Sequence, residues 1–341
     1  MNITEKKFDE LHGNKITEYI IETDNMIFSF IDFGARVHKI LTNKLDVESN
    51  IILSVNTAKD YINSGGYFGA TVGRVAGRID KGKFVLNDQS YQLECNDGNN
   101  HLHGGTNAID KKIWSTEIIH RENAITLKFN INIYEADDHY PGDIQFEVHH
   151  TITNDNTWTI EYFAISSKDT LFNPTNHVYF NLNQDYTKKI DNHYLTLNHN
   201  EFAEINEQLI PTGKIKTSDN FNFKNKNSLS NGINNQDQDN KLVNGYDHPF
   251  ILEKKKEKTF TLENELNNIK VEVVTDRECV VVYTSNMLDY TTQDKIQFVQ
   301  YGGVTLETQM LPDAINHCNF GNIILKKDEK FYSKTIYKII N

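Results

Sequence analysis

Apolar and polar residues alternate with a period of two through most of this 341-residue chain. Lys15–Thr23, Asn25–Phe33 and Ala124–Ile133 each put every second apolar side chain on one face of an extended backbone. That is the pattern of a strand with one face buried and one wet. Similar runs follow at Ile144–Ile152, Trp158–Ser166, Ile269–Val274, Cys279–Thr284 and Lys334–Ile340. Turn residues separate them at intervals of roughly 8–15 residues, as in a sandwich or barrel. Helical periodicity is confined to Thr57–Ile62 and Ser228–Asn235. Strands that each need one buried face must stack as sheets, so the expected fold is all-β, a large antiparallel β-sandwich with few short helices.

The length alone would allow two domains. Phe221–Gly245, rich in Asn, Gln and Asp, could link them. The strand rhythm is the same on both sides of it, however, and the residues of chemical interest lie on both sides. We read it as a surface loop within one domain spanning residues 1–341. With 35 Lys+Arg against 47 Asp+Glu the formal charge is −12, which repels nucleic acid and anionic membrane surfaces. No stretch approaches the roughly 20 apolar residues of a membrane helix. The start, Met1-Asn-Ile-Thr-Glu-Lys-Lys, is charged at once, unlike a secretory signal. Three cysteines, Cys95, Cys279 and Cys318, form neither a disulfide framework nor a C-x-x-C pair. A cytoplasmic protein is the expectation.

Four clusters carry chemistry. Gly77-Arg-Ile-Asp-Lys-Gly-Lys83 has the spacing of a phosphate-binding loop, but Phe84 replaces the required Ser or Thr and Asp80 would repel phosphate. It reads as a turn into the strand beginning at Lys83. His101-Leu-His103-Gly-Gly has the H-x-H spacing of some metal pairs, yet no Glu follows closely; a bend that turns a histidine toward a cleft competes with incidental histidines. In Asn173-Pro-Thr-Asn-His-Val-Tyr-Phe-Asn-Leu, alternation sends Val178, Phe180 and Leu182 one way and His177, Tyr179 and Asn181 the other. Taken alone, His177 reads more readily as a satisfied structural histidine than as a functional one. Glu307, in Gly302-Gly-Val-Thr-Leu-Glu-Thr-Gln, stands among apolar neighbours that would raise its pKa toward neutrality, as a general acid or base requires. Asp247 and the arginines Arg74 and Arg78 complete the set.

In order along the chain, Gly73-Arg-Val-Ala-Gly-Arg-Ile, Leu102-His-Gly-Gly, Pro174-Thr-Asn-His-Val-Tyr-Phe-Asn-Leu, Tyr246-Asp-His and Thr305-Leu-Glu-Thr-Gln with Pro312-Asp resemble the aldose 1-epimerase (galactose mutarotase) family. The resemblance implies a single large antiparallel β-sandwich and a cofactor-free, metal-free isomerase acting on a monosaccharide. It also implies roles: Glu307 as general base, His177 as general acid, His103 assisting, Arg78 and Asp247 holding sugar hydroxyls. Two positions depart from the family pattern. Gly77 stands where many members have Asn, and Val281 where a Gln is usual; both bear on sugar preference.

The chemistry suits these residues. Exchanging the α and β anomers of a hexose such as galactose or glucose needs a proton taken from the C1 hydroxyl and one given to the ring oxygen. The C1–O5 bond opens, the aldehyde turns about C1–C2, and the ring recloses on its other face. A Glu of raised pKa and a His titrating near neutrality would serve, and Tyr179 could stack on the pyranose. A glycoside hydrolase using Glu307 and Asp247 would leave both histidine motifs unexplained. A non-catalytic sugar-binding protein on the same fold would not need Glu307 and His177. A hexose-phosphate epimerase would need a basic cluster that is not evident.

Overall fold

The computed structural model describes residues 1–341 except Val47, Gln236, Lys254 and Lys256; Lys258 is described by its backbone alone. Its largest sheet has nine antiparallel strands. In spatial order these are Ser115–Arg121, Ala124–Ile133, Ile144–Thr153, Thr157–Ser166, Phe331–Ile340, Ile269–Thr275, Lys258–Asn264, His193–Thr196 and Asn227–Ser228. A second sheet orders Tyr179–Phe180, Val304–Gln309, Cys279–Tyr283, Asp247–Ile251, Glu201–Ile205 and Pro211–Thr217. A four-stranded N-terminal sheet runs Asn2–Leu11, Asn14–Glu22, Ile27–Ile31, Arg36–Leu41.

Alternation decides which face meets which. Ile144, Phe146, Val148, His150 and Ile152 point inward, as do Trp158, Ile160, Tyr162 and Ala164 on the next strand. They share one core with Phe250, Val280, Val282, Val304 and Leu306 of the six-stranded sheet and with Phe28, Phe30 and Val37 of the N-terminal one. The Thr308 and Thr335 hydroxyls, 2.8 Å apart, pair across the two larger sheets. Trp158 stacks on Tyr337 at 4.8 Å and donates from Nε1 to His150 Nδ1 at 3.1 Å. A buried indole thus keeps its hydrogen bond, and burial holds His150 neutral, its pKa pushed down to about 3.

The all-β sandwich expected from the sequence is the observed architecture, and the alternating runs appear as strands with bounds within three residues of those expected. Ala58–Asn63 is the expected first helix, with Thr57 accepting the Asp60 N–H at 3.0 Å as N-cap. Asp80–Gly82 makes a single turn into the strand Lys83–Leu86, as read from the failed phosphate-loop match.

The surface loop expected over Phe221–Gly245 differs from the structure. Gln236 lies outside the described residues; around it the segment folds back as Asn227–Ser228 on the edge of the nine-stranded sheet and as two short helices, Ser230–Ile233 and Gln238–Val243. Phe221, Phe223 and Leu229 are in the core. Ser230–Ile233 falls within the short helix expected over Ser228–Asn235, whereas the three core anchors are spaced too irregularly to mark the rest of the segment.

Candidate active site

The six-stranded sheet has a second face, and the site lies on it. Along Val304–Gln309 the apolar Val304 and Leu306 enter the core, so Thr305, Glu307 and Gln309 face the other way. Register then aligns the neighbours: Tyr179, Thr305, Tyr283 and Asp247 form one cross-strand row, and Glu307, Val281 and Pro249 the next. All of these but Thr305 floor a cavity of about 210 Å³.

Loops build the walls. The backbone reverses at His103, Gly104 and Gly105, all at positive φ. Gly104 sits so close to the Gly73 carbonyl that a Cβ there would be 2.0 Å from its oxygen. This is the bend foreseen from the paired glycines, and it turns His103 into the cavity. Gly77, at φ +76 and tight against Pro312, donates its N–H to His103 Nδ1 at 3.1 Å. A ring nitrogen that accepts from an amide carries no proton, so His103 is neutral with its hydrogen on Nε2. Arg78 follows on a short strand paired with His101–Leu102 and donates from Nε to Asp97 Oδ2 at 2.7 Å.

At the centre, His177 Nε2 lies 3.4 Å from Glu307 Oε1. Both side chains are about 95% buried. The His103 and His177 rings stand edge to face at 5.3 Å, and Tyr67 closes over both at 4.8 and 5.5 Å. Desolvation pushes Glu307 up to about 8; the Asp247 carboxylate adds to this, while the Thr305 hydroxyl donating at 3.2 Å and the Arg78 charge oppose it. The same desolvation pulls His177 down to about 3 and His103 well below its ordinary value. Burial also raises Asp247, against the pull of Arg78. Burial therefore favours the protonated carboxyl on Glu307 and the neutral ring on His177.

Glu307, His177, His103, Arg78, Asp247 and Tyr179 all line this one cavity. Phe180 is in the core, as alternation required. The expected near-neutral titration of a catalytic histidine is corrected: water is excluded from His177, so its charged form is disfavoured. Arg74 is elsewhere; it is buried, bonded to Asp138 at 2.7 Å and to the Gly142 carbonyl at 2.7 Å. Tyr67, Tyr283 and Gln309 were not singled out in the sequence. The glycines around Tyr67, Gly65-Gly-Tyr-Phe-Gly69, were the available signal for a loop approaching a cleft.

Donor atoms of His103, His177 and Glu307 lie within 4.8 Å of one another, so the three could gather around a divalent ion. The carboxylate missing from the local H-x-H context comes from some two hundred residues downstream.

The aldose 1-epimerase family description matches residues 18–338. Galactose mutarotase of Bos taurus is 31% identical over 345 residues, covering 99% of this chain and 98% of the relative. An aldose 1-epimerase of Haemophilus influenzae is 32% identical, covering 92% and 93%. The crystal structure of galactose 1-epimerase from Lactobacillus acidophilus aligns with a TM-score of 0.88 at 28% identity, over 99% of this chain and 98% of that one. A C. elegans aldose epimerase homologue shares the fold at 0.84 and 23%, over 94% and 98%. Likeness sustained along nearly the whole chain places it in the aldose 1-epimerase family, as an isomerase of sugar anomers.

Proposed function

We propose that the substrate is a free hexose, galactose or glucose, and that Glu307 and His177 perform the proton transfers. The observation that carries this reading is the buried 3.4 Å contact between an elevated carboxyl and a neutral imidazole. A sugar hydroxyl hydrogen-bonded to Oε1 stabilises the carboxylate, and the pair's proton moves to His177. Glu307 then takes the C1 hydroxyl proton as His177 gives one to O5; C1=O forms as C1–O5 breaks. Rotation about C1–C2 and the reverse transfers return the other anomer. His103 donates from Nε2 at the same centre, Arg78 and Asp247 hold hydroxyls, and Tyr179 lies against the ring.

Arg78 is the only cationic side chain among the described cavity residues, and Asp97 already pairs with it. That favours a neutral sugar over a sugar phosphate. We also propose that residues 1–341 fold as one unit, supported by a core that draws on strands before and after Phe221–Gly245. A cytoplasmic location is consistent with three unpaired cysteines. Among the described residues no helix is long and apolar enough to cross a membrane.

Polarimetry of freshly dissolved α-D-galactose tests the reading. Rotation should reach equilibrium faster than in buffer, and no acceleration would overturn it. An unchanged rate after chelator treatment is expected for direct proton transfer; a lost rate would favour an ion held by His103, His177 and Glu307.

A further inference from the structure

Gln309 is the third member of the cavity-facing row that contains Thr305 and Glu307, and it is completely buried. Both ends of its carboxamide, Oε1 and Nε2, lack a hydrogen-bond partner among the described residues. An unpaired buried amide works against folding, and the backbone gives this one no escape. The next residue, Met310, donates its N–H to Asn173 Oδ1 at 2.9 Å and accepts from Asn173 Nδ2 at 3.2 Å. Arg277 Nη2 fixes the same Asn173 oxygen at 2.6 Å. On the other side, the Thr308 carbonyl accepts from the Thr175 hydroxyl at 3.1 Å. The strand therefore holds Gln309 toward the cavity with one donor and one acceptor unused. Its cross-strand partner is Cys279, whose thiol is only a weak hydrogen-bonding group.

We propose that Gln309 is a substrate-binding residue whose carboxamide grips two adjacent hydroxyls of the aldose. Adjacent sugar hydroxyls supply what the amide lacks, since each can donate and accept. One hydroxyl donates to Oε1 while the other accepts from Nε2. The proposal rests on the aldose reading above and extends it to the side of the ring that passes Glu307.

Gln309→Met keeps the side-chain length and removes both polar atoms. In this variant KM for galactose should rise about tenfold to a hundredfold, the range of two lost hydrogen bonds, with a smaller change in kcat. The sugar-free variant should melt at a higher temperature, because the unpaired amide is gone. A purely structural glutamine would give the opposite: unchanged KM and a lower melting temperature, which would overturn the proposal. If Gln309→Met does not fold, Gln309→Glu, which keeps one acceptor, should show the same KM direction; an unaltered KM there overturns it too.

Deoxygalactoses lacking one hydroxyl at a time give a second readout. The penalty of Gln309→Met should shrink for two sugars modified at neighbouring carbons, and an equal penalty for all would contradict the pairing. Calorimetric titration of galactose into Glu307→Gln protein separates this proposal from the catalytic reading. Binding there that Gln309→Met weakens would uphold Gln309 even if the wild type proved inactive. Failure of both wild type and Glu307→Gln to bind any aldose would defeat the two together.

Discussion

Exclusion of water from Glu307 sets the chemistry of the site and burdens the fold at the same time. Glu307→Gln and His177→Asn should each slow mutarotation by about 10²–10⁴-fold, the scale of a lost proton transfer, as read by polarimetry. Glu307→Gln should also stabilise the protein in a pH-dependent way. The folded pKa of about 8 lies above the ordinary 4.5, so the folded state binds the extra proton and loses stability as pH rises from 4.5 through 8. The gain from Glu307→Gln should therefore be small at pH 4.5 and reach a few kcal/mol above pH 8, at about 1.4 kcal/mol per unit; thermal melts at both pH values check it. A second expectation concerns rate. If the pair works with one proton, as proposed, kcat/KM should fall on an alkaline limb near pH 8 and hold level downward until the fold itself fails. A limb near 6.5 would mean that His177 titrates as an ordinary histidine. The carboxylate's elevation was expected from Val304 and Leu306 beside it, but those side chains enter the core, and Glu307 is buried on the opposite, cavity side. The histidine's depression was not expected, because the residues that bury it, Tyr67 above all, come from a loop more than a hundred positions away.

Strands that alternate between core and solvent were readable, and strands in other settings were not. Asn2–Leu11 is an edge strand with its charged side chains in water, so it shows no apolar stripe. Val304–Gln309 is buried on both faces, yet its sequence still alternates; its polar half faces the cavity rather than solvent, a distinction that alternation alone does not make for Gln309. The segment before Asp247 shows what hidden anchors do. Gly232 lies under Tyr246, and a Cβ there would fall 2.2 Å from the ring. Tyr246 is wedged among Phe221, Phe223 and Phe250 and donates its hydroxyl to the Asn220 carbonyl at 2.7 Å. Gly232→Ala should cost about 1–3 kcal/mol by overpacking, seen as a lower melting temperature. It should also raise KM for galactose, since Tyr246 immediately precedes Asp247.

Taken whole, the molecule draws the lining of its cavity from both ends of the chain, Arg78 and His103 from one and Glu307 from the other. A two-domain chain would melt in two steps. This one should show a single calorimetric transition, coincident by circular dichroism and tryptophan fluorescence, because Trp114 and Trp158 share a core with strands beyond residue 245. The sandwich and its order of motifs were visible in the sequence, whereas the meeting of distant residues depends on cross-strand register, which no short window encodes. The division between floor and rim carries a last consequence. Glu307 and Asp247 stand on paired strands, while Tyr67, Leu209, Met287 and Leu288 reach the cavity from turns and connections between them. Replacements in those connections would reshape the mouth of the cavity while Glu307 and Asp247 keep their places on the sheet.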